Sequence, residues 1–228
     1  MRRATSVAGI LWSVLVLSAT SAGAAELRLL ASNGIKAAIE ELKPQLEKAS
    51  GSTLAIEFST AATLRERIEK GEAFDVAILT DEAIDALVKA GQISPMHTRL
   101  ARVGIGVGFR KGAPRPDVKT VAGIKQSLLN AKAIAYTGNG ASRPAIDKMI
   151  ERLGIAKQIE AKSHLTAAGS APASVAKGES DLVLTLISEI LPDQASSSRA
   201  RFPLTSRRIS ASPRRRHRRR PATRTRPP

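Results

Sequence analysis

Along most of the chain, short apolar runs alternate with stretches of helical period. Leu27-Arg-Leu-Leu-Ala31 reads as a strand, and Ser32-Asn33-Gly34 opens a helix that reaches about Ala49. Leu54-Ala-Ile-Glu-Phe58 predicts a second strand. Ser59 and Thr60 then cap a helix from about Ala62 to Lys70, where Leu64 and Ile68 stand one turn apart, and Gly71 stops it. Phe74-Asp-Val-Ala-Ile-Leu79 is a third strand. Thr80-Asp81 caps a helix carrying Ile84, Leu87 and Val88, closed by Gly91. Past a linker at Pro95, Val103-Gly-Ile-Gly-Val-Gly-Phe109 has one apolar face and one face of bare glycine, which implies close approach by another backbone. A helix over 118–130, a strand at Ala133–Tyr136 and a helix from Ala141 to Leu153 follow. After them come a short strand near Gln158–Ala161, a helix ending at Lys177-Gly178, and a buried strand, Leu182-Val-Leu-Thr-Leu-Ile187. This alternation predicts an α/β protein built on mainly parallel sheets with right-handed crossovers.

The amino terminus has its own pattern. Arg2 and Arg3 precede an apolar run from Val7 to Leu17, and Ala22-Gly23-Ala24 supplies a small-residue cleavage site. Residues 1–25 are therefore expected to be a signal peptide cut near Ala24–Ala25, because the run is short for a membrane span. That places the mature protein in the periplasm.

Charge changes the picture only at the other end. The chain carries a net +16, but residues 193–228 hold twelve Arg, no Lys and one acid, while residues 26–192 are nearly balanced. The tail lacks apolar periodicity, so residues 193–228 are expected to be a disordered Arg/Ser/Pro-rich segment. The body itself is not expected to bind nucleic acid. With no cysteine, thiol nucleophiles and thiolate metal sites are excluded. The three histidines have no partner at metal-binding spacing, and no metal or cofactor is expected.

Candidate chemistry gathers at the strand ends. Ser32-Asn33-Gly34, Ser59-Thr60, Thr80-Asp81 and Gly138-Asn-Gly-Ala-Ser142 all follow strands and open helices. In open α/β sheets ligands sit at the carboxyl ends of strands, and helix starts offer N–H groups that suit an anion. Ser, Thr and Asp are also ordinary N-caps, and Thr80-Asp81 is read as a cap alone. Arg143, just inside a helix start, is the candidate anion clamp. Glu40, Glu41, Glu66 and Glu69 stand beside Arg and Lys and read as solvated ion pairs. There is no nucleophile–base motif, so no catalytic residue is assigned.

Several of these segments, taken in order, resemble the periplasmic molybdate-binding-like solute-binding proteins of bacterial ABC transporters. They are Leu29-Leu-Ala-Ser-Asn33, Phe58-Ser-Thr-Ala-Ala-Thr-Leu64, Ile68-Glu-Lys-Gly71, Phe74-Asp-Val-Ala-Ile-Leu79, Gly138-Asn-Gly-Ala-Ser142, Glu151-Arg-Leu-Gly-Ile155, Val175-Ala-Lys-Gly-Glu-Ser-Asp181 and Ile187-Ser-Glu-Ile-Leu-Pro192. The resemblance covers residues 26–192. It implies a type II periplasmic binding fold of two α/β lobes, each a mainly parallel sheet flanked by helices. Lobe 1 would span 26–95, lobe 2 would span 96–187, and a return hinge would lie at 188–192. It further implies a small anion in the cleft (molybdate, tungstate, a sulfate-like ion or a small organic anion), a permease partner at the inner membrane, and a monomer. By position, Ser32, Asn33, Ser59, Thr60 and Ala61 would bind from the first lobe, and Ala141, Ser142, Ala168 and Ser170 from the second. Where the molybdate binders carry a Tyr near the hinge, this chain has Leu186.

Two consequences attach to the tail. In this fold the chain should return after Pro192 and finish the first lobe with helices, so an Arg-rich tail there points to a shifted reading frame and an incomplete first lobe. Weak ligand binding is expected of such a product. The competing functional readings are an exported α/β hydrolytic enzyme acting on a small anionic ester, and a basic-tail binder of nucleic acid or an anionic surface.

Overall fold

A computed structural model of the chain describes residues 25–190 and 198–215. The signal-peptide expectation, the hinge beyond Ile190 and the two ends of the tail lie outside these residues.

The first lobe follows the apolar pattern closely. Strand β1 (Glu26–Ser32) enters α1 (Lys36–Ser50) through a single 3-10 turn, and β2 (Thr53–Ser59) leads to α2 (Ala61–Glu69). Then β3 (Val76–Thr80) leads to α3 (Asp81–Lys89). Ser32, Thr60 and Thr80 each accept a backbone N–H two or three residues on, as their capping roles require. Leu64, Ile68, Ile84 and Leu87 are fully buried on one side of the sheet, beneath α2 and α3.

The second lobe begins within β4 (Thr98–Phe109) and continues through α4 (Val121–Asn130), β5 (Ile134–Thr137), α5 (Arg143–Leu153) and α6 (Ala156–Glu160). It closes with β6 (Ser163–Thr166), α7 (Ala171–Ala176), β7 (Leu182–Leu186) and the one-turn α8 (Ile187–Ile190). The strand expected near Gln158–Ala161 is helix, and the true strand starts at Ser163. Ile159 reaches the core from one turn of α6, a burial that strand and helix periodicities share over so short a run. Gly108 has the expected close neighbour, although it is side chains: a Cβ there would lie 2.6 Å from Val183 Cγ1 and 3.2 Å from Ile190 Cγ2.

The sheet order is β2-β1-β3-β8-β4-β7-β5-β6, where β8 is Ser198–Pro213. Strands β2, β1 and β3 are parallel in one lobe, as are β7, β5 and β6 in the other. β4 and β8 run antiparallel to their neighbours and pass through both lobes. Their mutual register shifts between Gly104 and Gly106, where the lobes meet.

β8 corrects the reading of the tail. Residues 198–213 are ordered into the middle of the sheet, with Ile209 facing Thr80 on one side and Ala101 on the other. Without this strand, β3 and β4 would each leave a row of backbone N–H and C=O groups unpaired. Ile209 is fully buried, while Ser210 donates to Asp81 Oδ1 at 2.5 Å and Ser212 to the Ser94 carbonyl at 3.0 Å. Backbone pairing and satisfied serines substitute for the apolar content that the segment lacks. The other face of the first lobe is covered more lightly. There α1 packs over Leu29, Ile78 and Ile209, while Leu27, Ile56, Phe58 and Val76 stay only partly buried.

Candidate functional site

The strands of both lobes point their carboxyl ends at one cleft. Ser32 and Ser59 end adjacent strands in register, Thr60 follows at the start of α2, and Thr137 ends β5 opposite them. Between these ends lies a small cavity. Ser32, Asn33 and Thr60 line it from the first lobe, and Thr137, Gly140, Ala141 and Ser142 line it from the turn before α5. Gly169, Thr185 and Glu189 close it from behind. Its free space is about 10 Å³, room for about one water, so any larger ligand enters only if the lobes part.

The polar character comes from hydroxyls and helix starts. Ser32, Thr60, Thr137, Ser142 and Thr185 are all buried, and none of the cavity residues is a Lys, Arg or His. Ser142 occupies the N-cap position of α5 but makes no side-chain capping bond. The cap residues of α2 and α5, Thr60 and Ser142, both line the cavity, so two helix starts turn their partial positive charge toward it without a formal cation.

Three bonds and contacts hold the lobes together around the cavity. Asn139 Nδ2 donates to Thr63 Oγ1 at 3.0 Å, and Thr63 Oγ1 in turn accepts from Thr60 at 2.9 Å. Ser188 Oγ donates to the Gly34 carbonyl at 2.7 Å. Gly169, at φ +75°, comes so close to Asn33 that a Cβ would lie 3.3 Å from its Nδ2; both facts call for glycine.

Glu189 is the unexpected member. It sits in α8, half-buried between the cavity and the adjoining open hollow, and accepts a hydrogen bond from Thr185 Oγ1. Burial pushes its carboxyl above the usual carboxylate range, and the Thr185 hydroxyl, acting in the opposite sense, is the smaller influence.

The expected site residues divide into three groups. Ser32, Asn33, Thr60, Ala141 and Ser142 line the cavity. Ala168 and Ser170 instead line an adjoining open hollow of about 600 Å³ with Lys36 and Phe58, and the residue between them, Gly169, reaches the cavity. Ala61 borders a third hollow beside Arg65 and Asn139, and Ser59 lines neither it nor the cavity. Arg143 is not an anion clamp in this arrangement. Its Nε donates to Asp147 at 2.7 and 2.8 Å and its guanidinium stacks 5.0 Å from the Tyr136 ring centre, because an acid one turn along α5 captures it.

Thr137, Thr185, Gly169 and Glu189 carry no site role in the sequence reading, whereas Gly140 lies inside the turn it named. The available signal was Thr185, a lone polar residue in an apolar run, followed one turn later by Glu189. Leu186, at the position of the family Tyr, is buried and packs against Gly34, whose added Cβ would lie 2.6 Å from Leu186 Cδ1. His164 contacts Ser174 at 3.1 Å and Ser180 at 3.0 Å, which ties β6 to the end of α7. Among the described residues no group of His, Cys, Asp or Glu is placed to hold a metal, and no helix is long and apolar enough to cross a membrane.

Comparison with known proteins bears on this arrangement directly. Residues 27–208 match the sequence model of the bacterial extracellular solute-binding proteins. The aconitate isomerase of a Pseudomonas species is 31% identical over 202 residues, covering 79% of this chain and 77% of that protein. The periplasmic molybdate-binding protein of Azotobacter vinelandii shares the fold with a TM-score of 0.70 at 17% identity, over 82% of this chain and 85% of its own. The tungstate ABC transporter structure from Geobacter sulfurreducens does so at 0.64 and 12%, over 83% and 84%.

Proposed function

The chain belongs to the family of bacterial extracellular solute-binding proteins, and from that premise we propose that it captures a small anion between its lobes and delivers it to an ABC transporter permease. On this reading residues 1–25 direct export, and the protein works in the periplasm as a monomer. The observation that carries it is the meeting of buried hydroxyls (Ser32, Thr60, Thr137, Ser142) and two helix starts around one enclosed cavity. Such a site binds an anion by hydroxyl hydrogen bonds and the partial positive charge of helix starts, with no countercharge. Molybdate or tungstate fits the fold resemblance. A small carboxylate or phosphate fits the same donors, and Leu186 removes the Tyr hydroxyl that the resemblance associates with molybdate. The test is thermal stabilisation of the full chain by molybdate, tungstate, sulfate, phosphate, cis-aconitate and trans-aconitate. At least one should raise Tm in a saturable way, and Ser142→Ala should weaken that response several-fold. A flat response to all six ends the proposal.

One observation favours a second reading, in which the cleft isomerises a small polycarboxylate. Glu189 puts a half-buried carboxyl beside the ligand space, held above the usual carboxylate range by desolvation and able to take and return a proton. The sequence relative named as an aconitate isomerase lends this support. Incubation with cis- or trans-aconitate, followed by NMR, should show interconversion that Glu189→Ala abolishes. Absence of turnover at stoichiometric protein disposes of it.

A further inference from the structure

Glu189 is out of place in an anion site. An ionised carboxylate lining a cavity otherwise built of hydroxyls and helix N-termini would repel the ligand that those groups attract. Among the described residues no cation pairs with it. The charged side chains that share its adjoining hollow are Lys36 and Glu40; they pair with each other at 3.7 Å, and Lys36 also lies over the Phe58 ring. Around α8 pack β4, β7, α1 and β8, and among their described residues no charged side chain acts on the Glu189 carboxyl. Its polar contact among the described residues is the Thr185 hydroxyl.

The chemistry that reconciles these facts is protonation. We propose that Glu189 acts in the cleft as a carboxylic acid and donates a hydrogen bond to an oxygen of the bound anion, so that wherever Glu189 is ionised in the free protein, capture of the anion takes up one proton with it. This rests on the reading of the cleft as an anion site. An O–H···O⁻ bond is short and strong, and it strengthens as the acceptor oxygen becomes more basic. The cleft therefore favours anions of weak acids, carboxylates and phosphate, over sulfate, whose oxygens are weakly basic. Burial of the carboxyl supports the same protonation state, since desolvation disfavours the charged form.

The sign of the pH dependence follows. A bound anion raises the pKa of Glu189 further, because it opposes ionisation beside it. Affinity is then full at pH values below the pKa of the free protein. It falls about tenfold per pH unit between the free and bound values, as linkage requires for one proton.

Calorimetry on the full chain tests this, with phosphate, trans-aconitate and sulfate as probes in two buffers of different ionisation enthalpy from pH 5.5 to 8.5. The wild type should take up about one proton per anion at the alkaline end, beyond the ligand's own titration. Glu189→Gln keeps a donor in the same place, so it should bind at every pH and lose the Glu189 part of the slope. Equal slopes in wild type and Glu189→Gln would overturn the proposal, as would loss of binding by Glu189→Gln at all pH values. If that variant fails to fold, zero net proton uptake by the wild type overturns it equally well. Tighter binding of sulfate than of the other two removes the claimed selectivity. Binding without proton uptake sinks this inference alone, whereas no binding of any probe sinks the anion reading and this with it.

Discussion

Asn139 in the second lobe donates a 3.0 Å hydrogen bond to Thr63 Oγ1 in the first, directly beside the cavity. The same hydroxyl accepts from Thr60, so the contact couples the capping residue of α2 to the turn before α5. Asn139→Ala should leave the unliganded protein's Tm within about a degree, because the residue is exposed and its loss opens no core. Ligand affinity should drop by about 0.5–1.5 kcal/mol, the net worth of one hydrogen bond. Calorimetric titration beside a melting curve checks both halves.

Ile209 lies between β3 and β4 with no exposed surface. Truncating a buried Ile to Ala costs about 2–5 kcal/mol. Ile209→Ala should therefore lower Tm by several degrees in a thermal melt. An unchanged Tm would mean that residues 198–213 contribute no strand to the fold.

Arg67 bridges Glu57 on β2 and Glu72 beyond α2. Hydrogen bonding to Arg67 holds the Glu57 carboxyl below its usual range, and the same contacts raise the Arg67 guanidinium. A lowered carboxyl contributes stability above the ordinary carboxylate range and loses it as pH falls through the depressed value. Glu57 is exposed and Arg67 about a third so, and solvent screens the pair, so Arg67→Ala should cost no more than about 1 kcal/mol at pH 7. The difference from wild type should vanish in strong acid, as denaturant unfolding at pH 7 and pH 2.5 would show.

Glu189 acts in the opposite sense. Its carboxyl is raised in the folded protein, so its contribution is complete below the ordinary value of 4.5 and is lost as pH rises through the folded-state value. Relative to Glu189→Gln, unliganded wild type should be most stable near pH 4 and lose ground steadily toward pH 8. Melting curves of the two proteins across that range check the crossing trend.

Much of the architecture was legible because it depends on neighbours in the chain. The i,i+4 apolar pairs that α2 buries are set by helix geometry. The caps at Ser32, Thr60 and Thr80 reach only two or three residues, so their roles could be read from local order. Five of the cleft residues came from the same local logic of strand ends opening into helices. Arg143 did not follow it, because Asp147 on the next turn competes for a side chain that a strand-end argument aims at the ligand.

What the sequence by itself determined is the succession of strands and helices, the turns that end them, and the placing of small polar residues where the strands stop. Tertiary structure decided the rest, through contacts that no local pattern encodes. Residues 198–213 read as disordered by composition, yet two strand edges roughly 90 to 140 residues away in sequence pair with most of their backbone. Glu189 reads as an unremarkable acid in a short helix. It becomes a half-buried carboxyl facing the ligand space only because β7 and α8 press it against the turn at Asn33, and burial is a property of the surroundings and not of the residue.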